Sequence, residues 1–256
     1  MSLPRRGWLK GAGASLAGLA LGACDRITQD PGVVGALSSA EGLNRGVQRL
    51  IGARALAREF TKADISPYFK PNGSNNPQDP DYLQHVATGF ADWRLAVDGL
   101  VERPLALSLD QLRALPARTQ ITRHDCVEGW SCIGEWTGAR MGPLMDMAGL
   151  KPAARHVVLY CADTLDPGAP PGRGKYYETL DLVDVFHPQT ILAYAMNGAP
   201  LAIPHGAPLR LRAERQLGYK QAKYVMRLSA VDRFDHIAGG KGGFWEDRDY
   251  ERYAGI

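Results

Sequence analysis

A single cysteine among charged side chains, in the segment RHDCVEGWS at residues 123–131, is the first candidate for chemistry in this sequence. A thiolate is stabilised by nearby cations and is a soft ligand that prefers a soft metal, so Cys126 is a candidate metal ligand. Glu128 lies two residues further on; if the chain is extended there, its side chain is on the same side as Cys126 and near the metal. We expect Arg123 to neutralise charge on a cofactor or a substrate.

Cys126 is also a candidate catalytic nucleophile. A Cys-His nucleophile needs Cys126 and a histidine base, and the candidates are His124, His187 and His205. Cys132 and Cys161 form no paired CxxC motifs, so the spacing does not indicate a structural zinc or an iron-sulfur site. As an even pair, they form either a disulfide or two core thiols. Asp163 is a candidate pocket residue only because it lies close to these groups in the sequence.

A second informative segment is NGAPLAIPHGAPLRLRAERQLGYKQAKYVMRL, residues 197–228. It carries cationic and polar side chains on a chain that glycine and proline hold tightly. The groups that can bind a ligand are His205, Arg210, Lys220 and Lys223. Fixed backbone donors together with cations suit a phosphorylated ligand, although a solvated basic loop is the alternative interpretation.

The elements that must position these residues are predicted from periodicity. Strands are predicted at residues 93–97, 120–127, 156–161, 190–195, 209–213 and 224–231, and helices at 108–115, 141–148 and 180–186. Ser108 is the predicted N-cap of the first of these helices, with Gln111 completing a capping box and Pro116 ending the helix. Residues 65–82 crowd Pro, Asn, Gly and Asp and predict a long loop. Together these elements predict one mixed α+β domain.

Composition and charge narrow the class of protein. The chain is 45% hydrophobic and 22% charged, which is typical of a globular protein. The formal net charge of +3 equals the three cations within the first ten residues, Arg5, Arg6 and Lys10. Because the remaining chain is neutral, it releases few counterions from a phosphate backbone, which argues against a nucleic-acid partner.

The first 24 residues resemble an export signal. Paired arginines precede an apolar run too short to span a bilayer, and the segment ends in LGAC. This is similar to a twin-arginine signal peptide at 1–23 with a lipobox, followed by a lipidated Cys24. It implies a periplasmic protein tethered to the inner membrane. Twin-arginine export carries folded proteins and so favours a cofactor. Residues 24–63 are then a tether with a docking helix at 47–60.

Taken together, the motifs resemble the sulfite oxidase superfamily of molybdopterin enzymes over residues 64–256, which include an aromatic C-terminal tail. The motifs are CVEGWS with WTG at 136–138, and HGAPLRL at 205–211 with GYKQAK at 218–223. The resemblance is closest to short bacterial reductase members that lack a C-terminal dimerisation domain. It implies a single mixed domain of the sulfite oxidase type that binds Mo-molybdopterin.

The resemblance also assigns roles to residues. It implies that Cys126 supplies the thiolate to molybdenum. It places the residues that hold the pterin and its phosphate at Asn72, Thr164, His205, Arg210, Gln221, Ala222 and Lys223. His205 departs from the reductase members, which have Asn at this position.

The implied activity is transfer of an oxygen atom to or from a small sulfur- or nitrogen-containing substrate, with sulfoxide reduction favoured. A sulfite-oxidising enzyme of the same fold is the alternative, and a non-catalytic lipoprotein binding module is the alternative of another class. The sequence has no CxxCH haem motif. Electrons are therefore expected from a separate partner, either a membrane haem protein or a cytochrome.

Overall fold

The computed structural model describes residues 55–255 continuously, preceded by residues 30–33, 35, 39, 42, 43, 46, 47 and 50. The chain divides into two compact units, Met1–Gly52 and Ala53–Ile256. In the first unit, the described residues from 31 to 50 are helical. The predicted signal peptide and Cys24 lie outside the described residues. None of the helices that are described has the length and apolar character needed to cross a bilayer.

The second unit is a mixed α+β domain, as predicted. Its strands are β1 Leu95–Gly99, β2 Leu105–Leu107, β3 Ala117–Asp125, β4 Ser131–Arg140, β5 His156–Thr164, β6 Lys175–Asp181, β7 Ile191–Met196, β8 Ala199–Pro200, β9 Arg210–Arg212 and β10 Val225–Val231. Its helices are α1 Pro80–Ala87, α2 Leu109–Arg113, α3 Met141–Ala148 and α4 Leu182–Val185. Short 3-10 turns occur at Lys62–Asp64, Ile203–His205, Gly218–Lys220 and Glu246–Arg248.

The strands form two sheets. The first has the order β2-β1-β10-β5-β6, in which β1 and β10 are parallel and the other neighbours are antiparallel. The second has the order β3-β4-β7-β8, and β9 also pairs with β7. Strands β3 and β4 are a hairpin with Asp125 opposite Ser131, so the turn between them contains Cys126. The second sheet therefore positions the first candidate segment.

The main core lies around α3 and the first sheet. Met141, Leu144, Met145 and Ala148 of α3 are all fully buried, at the spacing of one helix face. The helix ends at Gly149, whose φ of 73° is the left-handed conformation that favours glycine at a helix C-terminus. A smaller cluster centres on Trp136 and packs Phe69 against it at 5.3 Å between ring centroids. Trp136 therefore belongs to the core.

Several predicted elements are confirmed. Helix α3 has the predicted bounds. In α2, Ser108 and Gln111 form the expected capping box, with the Ser108 hydroxyl accepting from the Gln111 amide at 3.2 Å. The strands predicted within β1, β3, β5, β7, β9 and β10 are all present, with ends shifted by up to three residues. The aromatic C-terminal tail packs on the domain, since Phe244 belongs to the main core.

Other predictions were wrong. Residues 55–60 are not part of a docking helix: the chain is extended there, and Glu59 forms a β-bridge with Thr122. The Gln189 side chain binds both the amide and the carbonyl of Ala57, at 2.7 and 3.0 Å, and this fixes the extended conformation. The loop predicted at 65–82 ends early, because Asp79 caps a helix that begins at Pro80. The helix predicted at 180–186 begins only at Leu182.

Strands β2, β4, β6 and β8 were not predicted, and β4 and β6 are the two long ones. Residues Ser131–Arg140 form β4, which contains two glycines and therefore lacks a clear alternating pattern. Gly138 is required where β4 meets β7, because a Cβ there would lie 2.3 Å from the Leu192 carbonyl oxygen. Residues Lys175–Asp181 form β6, whose inner face buries Glu178. A buried charge in a strand hides its apolar pattern.

Candidate active site

The Cys126 segment is the turn of the β3–β4 hairpin. The Cys126 amide donates to the Trp130 carbonyl at 2.9 Å, and the Gly129 amide donates back to the Cys126 carbonyl at 3.0 Å. Gly129 has φ of 84°, which this tight turn needs. The strand predicted to continue to residue 127 therefore ends at Asp125. The turn leaves Cys126 half-buried, with a free thiol.

A cavity of about 130 Å³ opens beside this turn. It gathers residues that are far apart in the sequence: the 72–74 loop, the hairpin turn, the end of β5, the 218–223 segment and the C-terminal tail. Five of the predicted site residues line it: Asn72, Cys126, Glu128, Gln221 and Lys223. The Asn72 amide nitrogen donates to the Gly218 carbonyl at 3.4 Å, so the early loop and the GYKQAK segment are linked directly.

Glu128 reaches the cavity from the hairpin turn rather than from an extended strand. Its carboxylate accepts from the Trp130 indole nitrogen at 2.9 Å and lies 3.5 Å from Lys70 Nζ. The Trp130 hydrogen bond, aided by Lys70, lowers the pKa of Glu128. Glu128 is therefore a fixed negative charge at the rim of the cavity beside Cys126.

The cationic wall of the site is built around Gly206. His205 ends a 3-10 turn, and Gly206 follows with φ of 106°. A Cβ on Gly206 would lie 3.0 Å from the Lys223 side chain and 3.2 Å from Arg210 Cβ, so glycine lets these residues converge. Arg210 is fully buried, and its Nη1 donates to the His205 carbonyl at 3.0 Å. Lys223 Nζ donates to the carbonyls of Pro204 and Ser74.

Burial disfavours the charged forms of these side chains more than nearby carboxylates favour them, since Glu214 acts on Arg210 and Asp163 on Lys223 only as smaller effects. Burial, followed by the charge of Arg212, lowers the pKa of Arg210 to about 9. Burial, followed by the charge of Arg210, lowers the pKa of Lys223 to about 7. Burial and the same two cations, Arg210 and Lys223, lower the pKa of His205. A bound anion would therefore favour the charged forms of these cations.

Unpaired buried polar atoms test whether a phosphorylated pterin fits. In the part of the chain that the structure describes, several buried atoms at this site have no hydrogen-bond partner: His205 Nδ1, Arg210 Nε and Nη2, Asp163 Oδ1 and Gln221 Oε1. Buried polar atoms are nearly always paired in folded proteins, and unpaired groups that cluster indicate a missing ligand. The set contains cationic donors for a phosphate and acceptors for a ring, and the Cys126 thiol opens on the same cavity. The residues of this site therefore fit a phosphorylated pterin that carries a metal.

Five predicted site residues do not line the cavity: Arg123, Thr164, His205, Arg210 and Ala222. The Arg123 guanidinium is more than half exposed and forms an ion pair with Asp125 at 2.8 Å, because β3 turns this side chain outward. Thr164 is exposed at the end of β5, while its neighbours Asp163 and Leu165 line the cavity. Ala222 is buried in the main core and hydrogen-bonds the Leu211 amide through its carbonyl at 2.7 Å. It positions the Gly218–Lys223 segment rather than lining the cavity.

Sequence reasoning missed a buried ionic cluster under the cavity floor. Lys220 Nζ donates to Glu178 at 2.5 Å and also to Glu246, and all three side chains are about 99% buried. The cluster joins the GYKQAK segment to β6 and to the C-terminal tail. Tyr176, which lines the cavity, lies 3.5 Å from Glu178 through its hydroxyl. Lys220 was predicted as part of a phosphate site, but its charge is used internally.

The other functional interpretations of the cysteines can now be compared with the structure. Burial raises the pKa of the Cys126 thiol, and the charges that act on it are those of Glu128 and Lys70, not of a histidine. The nearest candidate base in sequence, His124, is fully buried and accepts from Arg212 through Nδ1 at 3.0 Å. The arrangement therefore lacks the activation that a Cys-His nucleophile requires. Cys132 and Cys161 are free thiols.

The fold and the site together define a class of protein. Residues 83–236 match the family described as the oxidoreductase molybdopterin binding domain. The match covers more than half of the chain, and the chain belongs to this family. It is an oxidoreductase whose cofactor is molybdopterin carrying molybdenum, as the resemblance to the sulfite oxidase superfamily implied.

Individual relatives narrow the comparison. The chain is 34% identical over 256 residues to the "Putative protein-methionine-sulfoxide reductase subunit YedZ1" of Azospira oryzae, covering 100% of this chain and 89% of that protein. It is 32% identical over 171 residues to the protein-methionine-sulfoxide reductase catalytic subunit MsrP of Xanthomonas campestris pv. campestris, covering 64% of this chain and 51% of that protein. The match thus spans about half the length of the MsrP relative.

A solved structure confirms the fold. The sulfane dehydrogenase SoxCD from Paracoccus pantotrophus superposes with a TM-score of 0.50 at 22% identity, covering 71% of this chain and 46% of that chain. At this identity the likeness concerns the fold alone. It agrees with a single domain of the sulfite oxidase type.

Proposed function

We propose that the protein reduces sulfoxides, with methionine sulfoxide as the substrate class, and that it receives electrons from a separate redox partner. The observation that carries the proposal is the Cys126 thiol on a cavity that Asp163, Gln221 and Lys223 also line. Buried oxygens of Asp163 and Gln221, and buried nitrogens of Arg210 beside Lys223, have no hydrogen-bond partner among the described residues. The relatives named as methionine-sulfoxide reductases support the direction of the reaction. When bound, the molybdenum cofactor supplies two-electron oxygen-atom transfer.

The charge around Cys126 favours a neutral substrate over sulfite. Each exposed cation near the turn has a carboxylate partner: Lys70 lies 3.5 Å from Glu128, and Arg123 lies 2.8 Å from Asp125. Sulfite is an anion and needs unpaired positive charge at the entrance, whereas a sulfoxide is neutral. A thioether side chain also matches the apolar rim, where Val127 is 43% exposed.

The residues of this chain bind two parts of the cofactor, its phosphate and its metal. Arg210, Lys223 and His205 provide donors and positive charge for the phosphate of the cofactor. Cys126 provides the thiolate that binds the metal. Burial raises the pKa of the free Cys126 thiol, so binding of a metal there would have to displace the thiol proton.

The partner and the location are also part of the proposal. The sequence has no CxxCH motif, and the relatives are named as subunits, which supports electron supply by another chain, a membrane haem protein or a cytochrome. The twin-arginine motif and LGAC box support a periplasmic protein tethered to the inner membrane through a lipidated Cys24. Mass spectrometry of the N-terminus of protein extracted from membranes tests the anchor; an unmodified Cys24 or an uncleaved leader would contradict it.

The activity is tested on protein purified after export in a host that makes molybdopterin. Molybdenum and pterin are measured per chain, and turnover is assayed with free and peptidyl methionine sulfoxide using a reduced viologen as electron donor. Sulfite with an electron acceptor is assayed in parallel. We expect about one cofactor per chain and sulfoxide reduction. Activity on sulfite alone would overturn the proposal in favour of the sulfite-oxidising alternative.

A neighbouring thiol provides the matched control. Cys132 is also free and half-buried, and its sulfur lies 3.7 Å from the Tyr68 carbonyl oxygen, outside the cavity lining. Cys126→Ala should abolish turnover and Cys132→Ala should retain it. Equal activity in both variants would contradict the assignment of Cys126, and no activity in an untreated wild type that holds cofactor would contradict the substrate class.

A further inference from the structure

We infer that the Glu178 carboxyl and the Tyr176 hydroxyl form a path that delivers protons to the active-site cavity beside Cys126. The inference rests on the proposed function and deepens it, because reduction of a sulfoxide consumes two protons. The sulfur–oxygen bond breaks, two electrons come from the redox partner, and the oxygen leaves as water with both protons. The path supplies these protons one at a time and takes up replacements from solvent.

Tyr176 lies between two cavities. It lines the active-site cavity of about 130 Å³ and also a second cavity of about 330 Å³, and among the described residues it alone lines both. The second cavity is open to solvent, since its lining includes the exposed residues Lys175 and Asp81. Tyr176 itself is buried. One buried side chain therefore separates the solvent of the second cavity from the active site.

The charges next to Tyr176 do not balance. Lys220 is the shared partner of Glu178 and Glu246, and all three side chains are about 1% exposed. If both carboxylates were ionised, the cluster would hold one uncompensated negative charge away from water. Burial of such a charge is so unfavourable that the group takes up a proton instead. Accordingly, burial, followed by the charge of Glu246, raises the pKa of Glu178 well above its usual range.

The hydrogen bonds of Glu178 indicate where that proton lies. Its Oε1 accepts from Lys220 Nζ at 2.5 Å and from the Thr179 amide at 2.8 Å. Its Oε2 lies 3.5 Å from the Tyr176 hydroxyl, whose single hydrogen is donated to the Tyr219 carbonyl. The proton of Glu178 therefore belongs on Oε2, directed at the Tyr176 oxygen. The two groups donate in one direction, and the chain ends at Tyr219, which lines the active-site cavity.

The groups around the path allow the two acids to be told apart. Burial raises the pKa of Tyr176 well above its usual range, so this hydroxyl passes a proton on without remaining ionised. Burial raises the pKa of Asp163 only to about 6, so Asp163 is ionised at pH 8. The titratable and charged groups that act on Glu178 or Tyr176 are Lys220, Glu246, Tyr219, Cys161 and Asp163.

The first measurement uses the cofactor-free full chain, from a host that cannot make molybdopterin. Infrared spectroscopy at pH 8 records the C=O stretch of protonated carboxyl groups, which is separate from that of carboxylates. We expect the wild type to show this band, Glu178→Gln to lose it and Tyr176→Phe to shift it. Absence of the band from the wild type, its persistence in Glu178→Gln or an unshifted band in Tyr176→Phe overturns the inference.

The second measurement is turnover of the cofactor-loaded protein with methionine sulfoxide and reduced viologen. Because general acid–base catalysis typically contributes about 10²–10⁴-fold, we expect kcat to fall at least about tenfold in Tyr176→Phe and Glu178→Gln while KM stays the same. The matched control is Tyr177→Phe, which removes a hydroxyl that donates to Asp247 at 2.8 Å and lies outside the active-site lining.

The control should keep the kcat of the wild type. An unchanged kcat in the Tyr176 and Glu178 variants, or an equal fall in Tyr177→Phe, overturns the path alone. So does a fall that comes with an equal rise in KM, because this shows a structural role. A loaded wild type that reduces no sulfoxide overturns the proposed function and the path together.

Discussion

Replacing Lys220 by Met should destabilise the protein strongly, because it removes the shared partner of two buried carboxylates. Lys220 contacts Glu178 at 2.5 Å and also Glu246, and the three side chains are each about 1% exposed. Burial, and then the charge of Glu246, already raise the pKa of Glu178 well above its usual range. Without the ammonium group, two carboxylates face each other away from water.

The magnitude follows from the burial. Removing one partner of a buried ion pair typically costs about 3–5 kcal/mol, because the remaining charge is uncompensated. For a domain of about 200 residues, this corresponds to a fall in the unfolding midpoint of roughly 6–20 °C. The raised pKa of Glu178 sets the sign with pH: its unfavourable ionisation is absent below its unfolded pKa and grows as pH rises through the folded value. The loss in Lys220→Met should thus be smallest at acidic pH.

The assay is urea unfolding of the cofactor-free protein at several pH values, followed by tryptophan fluorescence. The matched control is the triple variant K220M/E178Q/E246Q, which removes all three charges and should recover more than half of the lost stability. A loss below about 1 kcal/mol in Lys220→Met, as for an exposed pair, would refute the reasoning. So would a loss that does not change with pH, because the carboxylates would then not be the cause.

Other perturbations test the site directly. Cys126→Ala should lower turnover at least about 100-fold, because even residues that only hydrogen-bond a metal ligand cost about 10–100-fold when lost. The unfolding midpoint should stay within about 2 °C of wild type. A retained turnover rate would contradict the assignment of Cys126 as the ligand. Gly218→Ala places a Cβ 2.6 Å from His124 Nε2. Urea unfolding should therefore show a fall of about 1–3 kcal/mol in the free energy of unfolding, caused by overpacking. An unchanged midpoint would show that the backbone around residue 218 moves to accommodate the added methyl group. Lys223→Met should raise the melting temperature of the cofactor-free protein at pH 6 more than at pH 9. The pKa of Lys223 is lowered to about 7 in the folded protein, so the cost of charging it there lowers the free energy of unfolding fully only below that pH. Equal shifts of melting temperature at both pH values would contradict this cause.

The fold was predictable where local rules dominate. The capping box of Ser108 and Gln111 and the apolar face of α3 are local signals, and both elements formed as expected. Residues 55–60 have helical periodicity, but long-range hydrogen bonds from Gln189 hold them extended. Strand β6 was missed because its inner face buries Glu178, whose partner Lys220 is 42 residues away. Tertiary contacts of this kind are not visible in a local pattern.

The site was predictable in its chemistry more than in its geometry. Cys126, Gln221 and Lys223, which the motifs assigned to the site, line one cavity in the structure. Adjacency to the thiolate also suggested Arg123, but alternation along β3 turns that side chain outward into an ion pair with Asp125. Side-chain direction in a strand depends on register, and register is fixed by the partner strand.

The unpaired groups explain why cofactor binding and stability must be coupled in this protein. In the cofactor-free chain, Arg210 is fully buried, and its Nε and Nη2 have no hydrogen-bond partner among the described residues. Lys223 and Asp163 also have pKa values shifted toward their neutral forms by burial. Each of these pKa shifts means that burial of the charged group lowers the free energy of unfolding of the cofactor-free protein. A ligand that carries a phosphate and ring donors would remove this loss when it binds. The cofactor should therefore raise the melting temperature by more than its contact area suggests, and variants that neutralise these groups should lose that gain while the bare fold becomes more stable.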